Sequence, residues 1–324
     1  MQARVDRAVA VAVLSTLLLW ASAFVAIRFA GRQFGPGELA LGRLLVGSLA
    51  LGVLVVARHE RLPRGRPLVL AVVSGVLWFG VYNVALNAAE RRIDAGTAAL
   101  LVNTGPVFVA LLAGFALREG FPRGLLGGCV VSLAGVALIA AGVSRHGLEA
   151  SWGAALCILA AVAYAVGLVA QKPALRSVSA LSLTWTACTV AAVCCLPWTP
   201  GLLHELGRAR TSGILWTVYL GLFPTAVGFG SWAFALARID AGRLGVTTYL
   251  VPPLTVLLGW AALGETPPLL ALPGGALCLA GVALARRRSA DRKPQRILSD
   301  GGPAGPPSEP AASSVRATSE RQPA

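Results

Sequence analysis

Charge is scarce in this chain: 13% of its 324 residues are Asp, Glu, Lys or Arg, against about 25% in soluble proteins. That shortage excludes a water-soluble globular domain, which needs charge to cover its surface. The apolar content equally excludes a disordered chain. Histidine is nearly absent. His59, His146 and His204 lie in or beside loops, outside any HExxH or GxSxG setting, so neither a zincin nor a serine-hydrolase constellation is present. The six cysteines (Cys129, Cys157, Cys188, Cys194, Cys195 and Cys278) have no metal-ligand spacing, and two of them are adjacent. They read as small buried hydrophobes rather than as a disulfide or metal site, and no cofactor or metal is expected. Aromatic residues make up 7%, and no zinc-knuckle or RNA-binding pattern occurs. The net charge of +14 therefore needs a home other than nucleic acid.

What is abundant is apolar: 56% of the chain, with a mean hydropathy of +0.72. Crossing about 30 Å of hydrocarbon takes on the order of 20 residues in a helix. Charge-free windows of about that length run over 8–27, 68–89, 95–117, 124–144, 150–171, 177–203, 211–237, 244–264 and 266–285. A further window, 39–57, is interrupted only by Arg43. The reading is an all-α integral membrane protein with ten transmembrane helices, numbered here as spans 1 to 10. Backbone groups facing lipid must be satisfied within their own segment, and the alternation of a β-barrel is absent.

The N-terminus imitates a signal peptide, with Arg4 and Arg7 before an apolar run and Ala21-Ser22-Ala23 as a mock cleavage site. The run continues through Phe24-Val25-Ala26-Ile27 into a many-span protein, so it is read as span 1. Sorted by alternate loops, eighteen basic residues fall on the side of the N-terminus and seven on the other. The positive-inside rule then places both termini in the cytoplasm, in a plasma-membrane protein. Residues 287–324 shift to Pro, Gly, Ser and Ala, the composition of a disordered cytoplasmic tail whose basic beginning suits anionic headgroups.

Sliding the chain on itself by 146 residues aligns Arg92-Ile93-Asp94-Ala95-Gly96 with Arg238-Ile239-Asp240-Ala241-Gly242. The same shift aligns Pro106 with Pro252, Glu119 with Glu265, and Leu133–Leu138 with Leu279–Leu284. Over 92–138 and 238–284 there are 20 identities in 47 ungapped pairs. The match pairs spans 4 and 5 with spans 9 and 10, so each unit has five spans and the second is upside down relative to the first. The domains are then 8–144 and 150–286, two inverted five-helix repeats of the kind that rock about a shared site in secondary transporters.

These residues resemble a known family. Ala95-Gly96-Thr97-Ala98-Ala99, Pro106-Val107 and Arg118-Glu119 in the first half answer Ala241-Gly242, Tyr249-Leu250-Val251-Pro252 and Leu263-Gly264-Glu265 in the second. With Trp20-Ala21-Ser22-Ala23-Phe24 in span 1 and Arg43 in span 2, the chain is similar to the EamA-like members of the drug/metabolite transporter superfamily. The resemblance covers about residues 8–286. It implies a carrier that moves small metabolites, often amino acids or amphipathic compounds, usually outward. Its cavity would be lined by spans 1, 3, 4, 6, 8 and 9, with spans 5 and 10 peripheral.

Prolines at 106, 224 and 252 interrupt spans 4, 8 and 9 and free the carbonyls of Val102, Leu220 and Thr248. Such groups suit a cavity wall or a packing kink. Among the polar side chains in that layer, which also holds Thr104, Thr247 and Thr248, are Ser22, Asn83, Asn87, Asn103, Tyr164 and Tyr249, and Trp232, like Trp20 and Trp78, offers an aromatic wall or an interfacial anchor. With Pro106 and Pro252 these are the candidate cavity residues, each weighed against a role in helix-to-helix bonding. Arg43 has three readings: it snorkels, it pairs helices, or it meets a substrate carboxylate. Glu119 and Glu265 end spans 4 and 9 and read as structural or gating. No acid falls at mid-membrane, which gives no support for a carboxylate relay and argues against a strongly cationic substrate. The ladder Gly124, Gly128, Ser132 fits close packing within the chain before a homodimer seam. The expected function is a secondary transporter that moves, and by resemblance exports, a small neutral or zwitterionic metabolite by alternating access. The expected partners are that substrate and the lipid bilayer, without nucleic acid. A membrane-embedded enzyme lacks a catalytic constellation here. A transmembrane sensor lacks a soluble domain, the longest inter-span stretch being about ten residues.

Overall fold

The computed structural model describes residues 2–116, 123–144, 148–238, 244 and 247–290, and no strand occurs among them. The chain opens with α1 (Gln2–Ala30) and α2 (Pro36–Ala57). Pro36 sits in the first turn of α2, where its missing N–H costs nothing. Next, α3 (Arg66–Ser74) runs through a π-helical stretch, Gly75–Val81, into α4 (Tyr82–Ala89). Then come α5 (Ala95–Val102), α6 (Gly105–Ala116), α7 (Arg123–Ser144) and α8 (Leu148–Ala174).

In the second half, α9 (Ala180–Cys194) bends by 50° into α10 (Thr199–Leu206). The next helix, α11 (Thr211–Leu220), runs through another π stretch, Gly221–Phe229, into α12 (Gly230–Leu236). A 3₁₀ turn, Thr248–Leu250, precedes α13 (Val251–Leu263), and α14 (Ala271–Ala290) follows. Because α14 runs to Ala290, the first four residues of the expected tail are helical; 291–324 lie outside the described residues.

Five stretches are long and apolar enough to cross a membrane: Arg7–Ala30, Pro36–Ala57, Arg66–Ala89, Leu148–Ala174 and Thr211–Leu236. The bent pair α9 and α10 makes a sixth if taken as one span. Shorter apolar helices, Ala95–Val109, Val130–Ile139, Val251–Leu263 and Ala271–Gly281, fall within the windows 95–117, 124–144, 244–264 and 266–285. Two of these windows are broken by the backbone itself. The first α-helix ends at Val102, with Asn103 as its cap, three residues before Pro106. The second opens on the 3₁₀ turn just before Pro252. Around the bundle, large apolar side chains such as Leu49, Val53 and Leu215 are exposed. This is the surface of a multi-pass membrane protein, which has lipid rather than water outside.

One seam carries the geometry of the repeat. The α7 helix packs along α14, and Ser132 Oγ donates to the Cys278 carbonyl at 3.0 Å while Cys278 Sγ donates to the Ser132 carbonyl at 3.2 Å. These residues are 146 apart, so each is the repeat mate of the other. On one side of them Gly135 lies against Gly274, and on the other Gly281 lies against Gly128. These two contacts are also mates under the same shift. Contacts that run forward on α7 and backward on α14 mean that the helices cross antiparallel. The ladder Gly128, Ser132 is thereby used within the chain. The π stretches obey the same register, starting at Gly75 and Gly221.

Candidate functional site

Two of the carbonyls freed by proline accept side-chain hydrogen bonds, one across the bundle and one within its own helix. Asn103, capping α5, donates from Nδ2 to the Thr248 carbonyl at 2.8 Å. The Leu220 carbonyl accepts the Thr225 hydroxyl at 2.8 Å, a five-residue reach that the π stretch around Pro224 permits. Thr225 Oγ1 in turn accepts from Arg43 Nε at 3.2 Å and Nη2 at 3.1 Å. Arg43 therefore does not reach outward. It is 3% exposed, and its guanidinium is turned into the bundle.

Between these groups lies a cavity with an empty volume of about 680 Å³, open space at its mouth included. Its polar groups include Arg43, Tyr82, Asn103 and Tyr164, and the Val102 and Thr248 residues of the two breaks line it as well. An aromatic cluster forms one wall. Trp20 of α1 lies 4.9 Å from Trp232 and 5.4 Å from Phe229. Trp78 of the first π stretch contacts Tyr164 and Phe229, each at 5.2 Å. Ring pairs of this kind add to simple area burial and fix the wall's shape.

Of the sequence candidates, Asn103, Pro106, Tyr164 and Arg43 meet on this cavity. Ser22 is taken up elsewhere, by the Tyr219 hydroxyl at 2.7 Å and the Leu19 carbonyl at 3.0 Å. Asn83 donates to the Phe79 carbonyl on its own helix, and Asn87 ties α4 to the Pro36 carbonyl at 3.0 Å. Trp232 stands behind Trp20 rather than on the cavity, and Pro252 is buried beside Val251, which does line it. The Tyr249 side chain and Glu119 lie outside the described residues.

Glu265 closes one end of the bundle. Its carboxylate pairs with Arg28 at 2.5 Å and accepts the Ala95 N–H at 3.1 Å. It so ties the end of α1 to the first turn of α5, where the helix dipole favours an anion. Arg28 also donates to the Glu90 backbone carbonyl. A second cavity, with an empty volume of about 490 Å³, opens here beside Arg28, Asn87 and Glu90.

This layout agrees with the comparisons. The model of the EamA-like transporter family matches residues 7–141 and again 151–287. The chain belongs to the EamA-like transporter family. A probable terminal-alkyne amino-acid exporter of Streptantibioticus cattleyicolor is 38% identical over 283 residues, covering 87% of this chain and 94% of that protein. An uncharacterized transporter of Bacillus subtilis, YdfC, is 35% identical over 266 residues, covering 82% and 86%. A solved crystal structure superposes with a TM-score of 0.62 at 22% identity, over 87% of this chain and 98% of that one. That likeness speaks for the fold.

For an EamA-like transporter, two features of this site escape a reading of composition. Thr225 looks like one more small residue in an apolar span until the π stretch turns it toward Arg43. Glu90 sits one residue past a span window, as a loop acid would, yet it is 1% exposed. Neither of its carboxyl oxygens has a hydrogen-bond partner among the described residues. Burial pushes this carboxyl well above the usual carboxylate range; Glu265 and Asp94 act in the same direction, and Arg28 and Arg43 oppose them.

Proposed function

We propose that this EamA-like transporter exports a small neutral or zwitterionic metabolite, of amino-acid size and kind, by alternating access about the cavity between its two halves. The observation that carries this reading is the bond from Asn103 to the freed Thr248 carbonyl. It joins the broken helix of one repeat to the broken helix of the other at the cavity wall, and interrupted helices at a repeat interface are where secondary transporters hold substrate. The antiparallel Ser132–Cys278 seam supports an inverted arrangement of units 8–144 and 150–286, with ten spans and residues 287–324 as a tail. The excess of basic residues supports both termini on the cytoplasmic side of the plasma membrane, so the Glu265 end faces outward. The exporter from Streptantibioticus supports the direction and the amino-acid character. In this reading Arg43, Asn103, Pro106 and Tyr164 serve the cavity and Glu265 serves the gate. Glu119, its repeat mate in sequence, serves the opposite gate.

The test is counterflow. Proteoliposomes preloaded with unlabelled L-propargylglycine, a terminal-alkyne amino acid, are expected to accumulate labelled L-propargylglycine from outside, and L-leucine preload to serve less well. Failure of every zwitterion in an amino-acid panel to exchange, with protein shown to be inserted, would overturn the carrier reading.

A further inference from the structure

Arg43 is a buried cation with no carboxylate in direct contact among the described residues; the buried Glu90 acts on it only at longer range. Its guanidinium spends two donors on one neutral hydroxyl, Thr225 Oγ1. No carboxylate lies within 4 Å of it among the described residues, whose ion pairs are Arg28–Glu265 and Arg92–Glu149. Among the described residues that line the cavity there is no Asp or Glu. A charge withdrawn from water costs several kcal/mol unless something pays it back through pairing. Guanidinium is built to take two oxygens of one carboxylate in parallel. The same wall holds an unmet acceptor. Asn103 Nδ2 is used on Thr248, but its buried Oδ1 has no partner among the described residues. Trp20, Trp78 and Phe229 bring aromatic faces to this space, which suit a neighbouring ammonium or an unsaturated tail.

Resting on the carrier reading above, we propose that Arg43 is the docking residue for a substrate carboxylate. Asn103 Oδ1 accepts from the substrate ammonium, and the ligand is therefore an α-amino acid with a compact, uncharged side chain lying against the aromatic wall. A dicarboxylate leaves one charge unpaired on this wall, and a simple amine leaves Arg43 as it is, so both are disfavoured. Thr225 is a positioning residue: it holds the guanidinium toward the cavity and touches no substrate.

The experiment reads binding and flux separately on the full chain. Binding is followed by quenching of tryptophan fluorescence in detergent, with L-propargylglycine, its amino-less acid and its carboxyl-less amine as probes. The wild type is expected to bind the amino acid at least about tenfold more tightly than the amine, the discrimination of one charge-assisted pair. The amino-less acid is expected to fall between them. R43Q removes the preference for the carboxylate, and R43K retains part of it. The wild-type comparison stands even where R43Q fails to fold. Equal binding and equal flux of amine and amino acid in the wild type would overturn the assignment of Arg43 while leaving a carrier. No binding of any of the three would also overturn it. Carboxylate-dependent binding without counterflow would sustain the assignment and sink the carrier.

Discussion

Gly135→Ala is expected to lower the stability of the protein by about 1–3 kcal/mol, the range for forcing a methyl group into a close-packed contact. A Cβ at Gly135 lands 2.5 Å from the Gly274 carbonyl oxygen and 2.6 Å from the Cys278 nitrogen. Both atoms are backbone of α14, so neither can swing aside, and the two helices must separate. Gly281→Ala is expected to cost a similar amount, since its Cβ meets the Gly128 carbonyl oxygen at 2.6 Å. Gly127→Ala is the matched control on α7, because a Cβ there meets nothing within 4 Å among the described residues. Removing a helical glycine there gains up to about 1 kcal/mol. Thermal unfolding in detergent, followed by size-exclusion chromatography with fluorescence detection, separates the three. A Gly135→Ala protein as stable as the Gly127→Ala protein would refute the seam.

The second large effect concerns Glu90 and is read as a function of pH. A carboxyl whose proton is held more tightly in the folded than in the unfolded protein stabilises the fold at low pH. That contribution is lost as pH rises through its folded value. Burial lifts the Glu90 carboxyl well above the ordinary carboxylate value near 4.3. The stability of the wild type is therefore expected to fall as pH rises above that value, by at most about 1.4 kcal/mol per pH unit for one proton. The groups around Glu90 are Arg28 on α1, Arg43 on α2, Asp94 at the cap of α5, and Glu265 past α13. Arg28 is already committed to Glu265 and to the Glu90 backbone carbonyl, so ionised Glu90 must compete for it. E90Q is expected to flatten the pH dependence and keep the low-pH stability. A wild type with the same slope as E90Q between about pH 5 and pH 8 would show that Glu90 is not held neutral.

Much of the fold and part of the site can be read from residue order, and the reasons differ by element. The prolines are legible because a ring at mid-span always frees the carbonyl four residues earlier, and the Leu220 and Thr248 carbonyls do accept side-chain hydrogen bonds, the first from its own helix and the second across the bundle. The 146-residue register is legible because Asp, Pro, Glu and Gly coincide in order. The π stretches at Gly75–Val81 and Gly221–Phe229 leave no such trace, since a one-residue shift of hydrogen bonding alters no apolar pattern. They decide where Trp78 and Thr225 point, and so decide the cavity. Ser22 and Asn83 illustrate the other failure: a polar residue at the right depth is spent on Tyr219 or on its own helix, which depth alone does not reveal. Glu90 fails for a third reason. A window that ends at Ala89 says nothing of the neighbouring helices that cover the next residue.

The reciprocal pairing of Ser132 with Cys278, flanked by Gly135 on Gly274 and Gly281 on Gly128, has the form of an isologous interface, in which one patch meets its own copy. Symmetric dimers make such contacts between two chains; here both patches are threaded on one chain and can differ from each other. Ser132 and Cys278 already do: a hydroxyl answers a thiol where a true dimer would place identical residues. Relaxed identity at a self-complementary junction lets one half stiffen while the other stays pliable. A symmetric pair of separate subunits has no access to that freedom, because every substitution there arrives twice.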